Sequence, residues 1–170
     1  HPRIGRIDVE SAQQMHDAAV SAFPQMDAAI LSAAVADYRP LRSRPEKMKR
    51  EGQEEFSLTL TTNPDIAASL GQMKEAHQAL IGFALETNDE LLNARKKLER
   101  KNLDFIVLNS LQDEGAGFGG DTNKVTILSR EGNKTSFGLK SKKEVAKDIV
   151  DIVFHVGPSH PIQDNSVKTG

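Results

Sequence analysis

Short apolar segments alternate with capped, amphipathic helices along most of this chain, and that alternation constrains the fold more than any other feature. Residues 80–85 and 105–108 are continuous apolar runs, which are typical of central strands covered on both faces. Residues 28–34 form a further apolar run, and residues 56–61 alternate apolar with polar side chains. Strands that alternate with helices predict an α/β fold with a mostly parallel sheet and right-handed crossovers.

The predicted helix starts support this order. Capping boxes, in which Ser or Thr precedes Glu or Gln by three residues, predict three helices: Ser11 with Gln14, Thr87 with Glu90, and Ser141 with Glu144. A fourth helix is predicted at residues 63–65, with Asn63 as N-cap and Pro64 in the first turn. Strands at 124–129 and 134–139 flank a turn at Gly132 and predict an antiparallel hairpin near the C-terminus.

Composition limits the classes of partner. The chain has 170 residues and a net charge of −2, so no global basic field would recruit nucleic acid or a membrane surface. It has no cysteine, which excludes disulfides, thiolate metal sites and thiol catalysis. No apolar run is long enough to span a bilayer, and we expect a cytoplasmic protein. An anionic ligand would therefore depend on local clusters of Lys and Arg.

The ends of the chain suggest how it is organised. It opens at His1 without a methionine and soon enters apolar sequence, so we expect residues 1–156 to form a domain whose first strand–helix unit is missing. Residues 157–170 include Pro158 and Pro161 and have no apolar periodicity, which predicts a flexible tail.

Two segments after the first predicted strand are candidates for chemistry. Small residues at 32–36 would let a ligand approach the backbone, and Asp37 offers a carboxylate suited to Mg²⁺ or a base edge. The alternative is an ordinary aspartate in a surface turn. Residues 39–52 carry six cations, Lys47 among them, which suits a loop that closes over a triphosphate. The alternative here is a solvated run of charge.

Two further segments could bind an anion or a nucleotide. The helix start at 63–66 would present free N–H groups, although most such starts are purely structural. In the strand at 80–85, Gly82 would permit close approach and Phe83 could stack on a ligand or simply pack in the core. Lys97 and Lys101 lie four residues apart on one helical face and could grip a phosphate chain, or could be plain exposed lysines.

Other patterns argue against different chemistries. Residues 115–120 match G-x-G-x-x-G, but a predicted strand follows them instead of a helix, so a dinucleotide fingerprint is rejected. The five histidines are scattered, no pair has metal-ligand spacing, and nothing indicates a Ser-His-Asp triad.

Six motifs in order resemble one family. The segment Ala-Ala-Val-Ala-Asp-Tyr-Arg at 33–39 resembles a signature of phosphopantothenoylcysteine synthetase, the C-terminal half of the bifunctional bacterial decarboxylase/ligase. Pro-Glu-Lys-Met-Lys-Arg at 45–50 resembles its lid loop, with Arg50 in place of the last lysine. Resemblance continues at 63–66, 82–88, 101–104 and 117–123, so it covers nearly the whole chain.

The resemblance implies a Rossmann-like three-layer fold and a set of site residues. It implies that Lys47 is the lid lysine important for activation and that Asp37 contacts the nucleotide and its metal. The other binding residues that it implies are Leu31, Ser32, Ala33, Pro64, Asp65, Ile66, Ala67, Phe83, Lys97 and Lys101. The family's early Asn-His-Ser-Ser-Gly motif has no counterpart in this sequence.

The resemblance also implies a reaction. The family activates 4′-phosphopantothenate with CTP and Mg²⁺, releases pyrophosphate, and lets the amine of L-cysteine displace CMP from the acyl-cytidylate. A homodimer through sheet extensions is implied, with the hairpin at 124–139 as the candidate, as is association with a flavin-dependent decarboxylase domain. The alternatives are a non-catalytic nucleotide-binding domain and, less favoured, a nicotinamide or flavin reductase.

Overall fold

The computed structural model of the chain describes residues 2–42, 46, 57–86, 89–110 and 121–156. Several sequence predictions fall outside these residues. They concern Lys47 with most of the cationic loop, Thr87, the glycine-rich segment 115–120 and the predicted tail 157–170.

The described elements follow the predicted alternation. The helices are α1 (Ala12–Ala22), α2 (Ile66–Met73), α3 (Glu90–Arg100) and α4 (Lys142–Asp151), with a 3₁₀ turn at Phe23–Gln25 and a π-helical turn at Ile152–Val156. The strands are β1 (Ala28–Leu31), β2 (Tyr38–Pro40), β3 (Leu60–Thr62), β4 (Ala79–Glu86), β5 (Phe105–Ser110), β6 (Thr122–Asn123), β7 (Val125–Ser129), β8 (Lys134–Ser136) and β9 (Lys140–Ser141).

The main sheet has the order β1-β4-β5-β7-β8. Strands β1, β4 and β5 are parallel, with Ile30 opposite Ile81 and Ile81 opposite Phe105. Strand β7 runs antiparallel to β5 and forms a hairpin with β8, whose turn places Gly132 at a φ of 91°. The predicted combination of a parallel centre and an antiparallel C-terminal hairpin is therefore confirmed. Two small antiparallel ribbons, β2–β3 and β6–β9, accompany it.

Alternating side chains of the central strands feed two cores. Leu80, Ile106 and Leu108 pack with residues of α2 and α3, while Ile81, Phe105 and Val107 pack with residues of α4. Because successive side chains of a strand point to opposite faces, one strand can support both layers. The result is the predicted three-layer, Rossmann-like arrangement, with α1, α2 and α3 on one face of the sheet and α4 on the other.

The capping boxes of α1 and α4 are confirmed, with Ser11 and Ser141 each accepting a hydrogen bond from the third helical residue. The helix start predicted at Asn63 is wrong, and the cap predicted at Thr87 lies outside the described residues. Helix α3 begins at Glu90 with Asp89 as its N-cap, and α2 begins at Ile66 with Asp65, not Asn63, as its N-cap.

Two strand predictions also need correction. Strand β1 ends at Leu31, so residues 32–34 leave the sheet. Arg39 and Pro40, predicted to open a structureless loop, belong instead to β2, which pairs with β3. The first correction shortens the parallel sheet at its carboxyl end and leaves the backbone of residues 32–34 free of the sheet.

A buried ion pair secures the opposite edge of the parallel sheet. Nζ of Lys74 lies 2.6 Å from each carboxylate oxygen of Asp104, and the two side chains are only 8% and 11% exposed. Asp104 Oδ2 also accepts a hydrogen bond from the backbone N–H of Leu80 at 2.7 Å. This carboxylate therefore ties the end of α2 to the starts of β4 and β5.

Candidate functional site

A crevice of about 610 Å³ lies at the carboxyl ends of the three parallel strands. Its floor comes from Leu31 of β1, Leu85 of β4 and Asn109 of β5, and its walls come from α1, α2, α3 and the loop 32–37. This position follows from the topology, because the carboxyl ends of parallel strands meet at one edge of the sheet. The volume lies in the range of small-molecule sites.

Nearly all of the site residues predicted from sequence line this crevice. Eleven of the twelve line it: Leu31, Ser32, Ala33, Asp37, Pro64, Asp65, Ile66, Ala67, Phe83, Lys97 and Lys101. The twelfth, Lys47, lies outside the described residues. These residues come from four separate stretches of sequence, so their meeting is a property of the fold. Their individual roles stay predictions.

One wall of the crevice is cationic. Lys97 lies on α3 and Lys101 caps its C-terminus, so both amines rise on the face of the sheet that carries α2. Nζ of Lys101 lies 3.0 Å from each carboxylate oxygen of Asp65 and its side chain is 21% exposed. A phosphate chain entering here would meet two ammonium groups, and Asp65 holds that of Lys101 in place.

Asp65 links this wall to the start of α2. Its Oδ1 accepts a hydrogen bond from the N–H of Ala68 at 3.1 Å, which makes it the N-cap of the helix. Burial alone raises the pKa of the Asp65 carboxyl, but the bonds from Lys101 and from the Ala68 N–H outweigh this and lower the pKa below its ordinary value. The carboxylate therefore stays ionised and keeps Lys101 at the crevice.

The rim loop 32–37 is held by a hydrogen-bonded latch that sequence analysis missed. Nδ2 of Asn63 donates to the carbonyl of Ala36 at 2.7 Å, and the Asn63 N–H donates to the carbonyl of Asp37 at 2.8 Å. Nη1 of Arg39 donates to Asn63 Oδ1 at 3.0 Å and to the carbonyl of Thr62 at 2.7 Å. The guanidinium of Arg39 therefore stabilises the β2–β3 ribbon through these hydrogen bonds and does not belong to a structureless cationic loop.

The floor of the crevice is apolar. Phe83 lines the crevice and also packs against the core beneath α4, so the packing role considered from sequence applies, while stacking on a ligand stays a prediction. Gly82 has a different role from the one expected. A Cβ there would lie 2.7 Å from Cδ1 of Leu103, which is itself only 2% exposed. The glycine therefore makes room for the core beneath the floor.

Asp37 stands exposed at the rim. Within the described ranges, no three His, Asp or Glu side chains gather at metal-binding distance. Mg²⁺ commonly binds through one or two carboxylates together with substrate phosphates, so a single carboxylate beside a phosphate site is a sufficient protein contribution. The residues present therefore fit a metal ion that arrives with a triphosphate.

The structure also contains a chain of side-chain hydrogen bonds that the sequence did not suggest. His16 of α1 lies 3.0 Å from Asp17 Oδ1 through Nδ1 and 3.0 Å from Ser69 Oγ of α2 through Nε2. The hydrogen bond from His16 is the main reason that the pKa of Asp17 is lowered. These residues do not line the crevice, and Asp17 is 63% exposed. We interpret these hydrogen bonds as a structural link between α1 and α2.

Comparisons with known proteins agree with this geometry. Residues 1–156 match the family described as the DNA/pantothenate metabolism flavoprotein C-terminal domain. A protein from an unknown prokaryotic organism named cysteine/cysteine sulfinic acid decarboxylase is 55% identical over 147 residues, which are 86% of this chain and 41% of that protein. The coenzyme A biosynthesis bifunctional protein CoaBC of Bacillus subtilis (strain 168) is 43% identical over 144 residues, covering 85% of this chain and 35% of that protein.

Solved structures share the fold. The crystal structure of the C-terminal domain of CoaBC is 36% identical with a TM-score of 0.68, and the match covers 85% of this chain and 62% of that one. A Cab2 variant in complex with phosphopantothenate-cysteine is 19% identical with a TM-score of 0.57, over 85% of this chain and 51% of that one. The latter likeness concerns the fold alone.

The chain spans about two fifths of the length of these curated relatives, 41% of the first and 35% of the second. In the part of the chain that the structure describes, no helix is long and apolar enough to cross a membrane. The predicted kinship with the synthetase half of the bifunctional protein is confirmed at the level of the family. The chain belongs to the family of DNA/pantothenate metabolism flavoprotein C-terminal domains.

Proposed function

We propose that this chain is the ligase domain that joins 4′-phosphopantothenate to L-cysteine, with CTP and Mg²⁺ as activating co-substrate and metal. The observation that carries the proposal is the meeting of eleven residues, named from family motifs, in one crevice at the strand ends. The CoaBC relatives support the assignment to coenzyme A biosynthesis. The Cab2 variant, a neighbour that shares only the fold, is in complex with phosphopantothenate-cysteine, which is the product that the proposal expects.

The chemistry has two steps. A carboxylate oxygen of 4′-phosphopantothenate attacks the α-phosphorus of CTP, and pyrophosphate leaves. The amine of cysteine then attacks the acyl carbon, the C–O bond to CMP breaks, and the amine loses a proton to give the amide. Both partners of the first step are anions, so the site must reduce their mutual repulsion.

The described residues suit that task. Lys97 and Lys101 would bind the triphosphate against the start of α2, whose first N–H groups carry partial positive charge. Asp37 would hold the Mg²⁺ that accompanies the triphosphate, and the metal would supply further neutralisation of the phosphate oxygens. The apolar floor at Phe83 would exclude water, which protects an acyl-nucleotide from hydrolysis. Lys47 stays the predicted lid lysine.

Thermal unfolding with added nucleotide tests the binding step. We expect CTP with Mg²⁺ to raise the Tm of the chain and NADPH to leave it unchanged. Lys101→Met should weaken CTP binding about tenfold or more, because a hydrogen bond between charged groups contributes roughly 1.5–3 kcal/mol. Lys143→Met, on the far helix α4, is the matched control and should bind CTP as the wild type does. An unchanged Tm with CTP would contradict the proposal.

The 55% identical relative is named as a decarboxylase, so a second experiment compares ligation with decarboxylation. The chain is incubated with cysteine alone, or with cysteine, CTP, Mg²⁺ and 4′-phosphopantothenate. The ligase proposal expects repeated turnovers with release of pyrophosphate in the complete mixture, and no pyrophosphate with cysteine alone. Release of CO₂ from cysteine without nucleotide would favour decarboxylation instead. A CTP-induced rise in Tm without pyrophosphate release would favour a domain that binds nucleotide without catalysis.

A further inference from the structure

One side-chain oxygen at the floor of the crevice lacks a hydrogen-bond partner. Among the described residues, two side-chain oxygens are sealed from solvent without a partner, Oδ1 of Asn109 and Oγ1 of Thr135. Only Asn109 lines the crevice. Buried polar atoms are nearly always paired in native proteins, so each exception calls for an explanation. At the edge of a ligand site, the simplest explanation is a partner that the ligand supplies.

The position of Asn109 indicates which part of a ligand it would meet. It lies near the end of β5, opposite Leu85 of β4 and two residues beyond the pair formed by Phe83 and Val107. Side chains alternate along β5, and Phe105 and Val107 belong to the core beneath α4. Asn109 therefore lies on the α4 side of the strand ends, the side to which Phe83 also belongs.

The cations lie on the other side. Lys97 and Lys101 belong to α3 and its cap, and α3 packs on the opposite face of the sheet through Ala94 and Leu98. A bound nucleotide whose phosphates lie between α2 and α3 would have to cross the strand ends to reach Asn109. Among the described residues, the lining beside Asn109 on β4 consists of Leu85 and Phe83, which are apolar, so the part of the ligand that reaches it would be uncharged. An aromatic ring, an apolar floor and one amide suit a nucleoside.

We propose that the Asn109 carboxamide binds the nucleoside portion of the nucleotide, with Oδ1 accepting a hydrogen bond from an N–H or O–H donor of the base or ribose. The crevice then has two functional faces, one for the phosphates at Lys97 and Lys101 and one for the nucleoside at Phe83 and Asn109. Rotation about χ2 of asparagine is soft, so the amide turns toward a ligand at little cost. This inference rests on the proposed function.

The test compares two buried amides that differ in their partners. Gln78 is only 3% exposed and is fully engaged, donating to the carbonyls of Phe23 and Met26 and accepting from the N–H of Glu75. Asn109→Leu and Gln78→Met replace each amide with an apolar side chain of similar shape. The probes are CTP and inorganic tripolyphosphate, each with Mg²⁺, and the measurements are the Tm without ligand and the Kd for each probe.

We expect Asn109→Leu to keep or raise the Tm without ligand, because it removes an unpaired buried acceptor. It should weaken CTP about tenfold, as expected for one lost hydrogen bond, and leave the tripolyphosphate Kd unchanged. Gln78→Met should lower the Tm without ligand and change neither Kd. If the loss of CTP affinity vanishes with UTP, the donor is the exocyclic amine of the base; if it vanishes with 2′-deoxy-CTP, the donor is a ribose hydroxyl. Both results support the proposal.

Three results would overturn it. The Kd for CTP could be the same in Asn109→Leu as in the wild type. The Tm without ligand could fall as it does in Gln78→Met, which would make Asn109 a structural residue. Affinities for CTP and tripolyphosphate could fall together, which would indicate a general distortion of the crevice. If wild-type chain binds neither probe, the proposed function fails and this inference falls with it.

Discussion

Replacement of Gly71 by alanine would test how closely α2 packs against the end of α3. Gly71 is buried in α2, and an ideal Cβ at this position would lie 2.0 Å from the carbonyl oxygen of Lys101. Ordinary van der Waals contact begins at 3.4 Å, so the two segments would have to separate by 3.4 − 2.0 = 1.4 Å. Because the obstacle is backbone, no side-chain rotation can relieve it.

The magnitude follows from three effects. Overpacking of a well-packed interior costs about 1–3 kcal/mol. The separation also strains the 2.6 Å hydrogen bond from Nδ2 of Asn102 to the Gly71 carbonyl, which contributes about 1 kcal/mol. Alanine returns up to about 1 kcal/mol through its better helix propensity. The last two effects nearly cancel, so we expect Gly71→Ala to lower the free energy of unfolding by roughly 1–3 kcal/mol.

Urea unfolding followed by far-UV circular dichroism measures this change. Gly138→Ala is the matched control, since a Cβ at Gly138 would meet nothing within 4 Å, and it should leave the free energy of unfolding nearly unchanged. Movement of α2 would also part Asp65 from Lys101, so the CTP-induced rise in Tm should shrink in Gly71→Ala. An unfolding free energy within about 0.5 kcal/mol of the wild type would refute the packing argument, because surface substitutions commonly fall in that range.

Two more predictions concern charged groups. Asp104→Leu should lower the free energy of unfolding by about 3–5 kcal/mol in urea titrations, because it leaves the Lys74 ammonium buried and unpaired. The control Lys147→Met breaks an exposed ion pair and should change the free energy of unfolding little. Equal losses in the two variants would contradict the reasoning. Asp65→Asn keeps an N-cap oxygen but removes the charge that bonds Lys101. Since the pKa of Asp65 is lowered by folding, its stabilisation is present above its ordinary value of 3.8 and is lost as the pH falls through the lower folded value. The Tm gap between wild type and Asp65→Asn should therefore be constant well above pH 3.8 and shrink as the pH is lowered below that value, and a gap that stays constant in acid would contradict the assignment.

The location of the crevice could be predicted from sequence because it depends on a general property of parallel strands. Apolar runs followed by small or charged residues mark strand ends, and Leu31, Asp37 and Phe83 were found in that way and through family motifs. Helical spacing placed Lys97 and Lys101 on one face of a helix, and the family resemblance then implied that they bind the ligand. These signals are local in sequence, so they can be recognised without knowledge of the tertiary structure.

The missed features depend on partners distant in sequence. Asn63 has every local mark of an N-cap, yet its amide bonds to Ala36 and Arg39, more than twenty residues away, and Asp65 caps the helix instead. The orphaned oxygen of Asn109 depends on how neighbouring strands bury one atom, which no sequence pattern reports. Gly82 was interpreted as room for a ligand, whereas Leu103 occupies that space.

Hydrogen–deuterium exchange of the chain with and without CTP and Mg²⁺ would test the central claim most directly, because it locates the bound nucleotide along the sequence. We expect slower exchange in peptides that cover the rim loop 32–37, the start of α2 at 64–68 and the end of α3 at 97–101. Peptides of α4 and the β7–β8 hairpin should exchange unchanged. Protection confined to α4 or the hairpin, with none at the strand ends, would contradict the account.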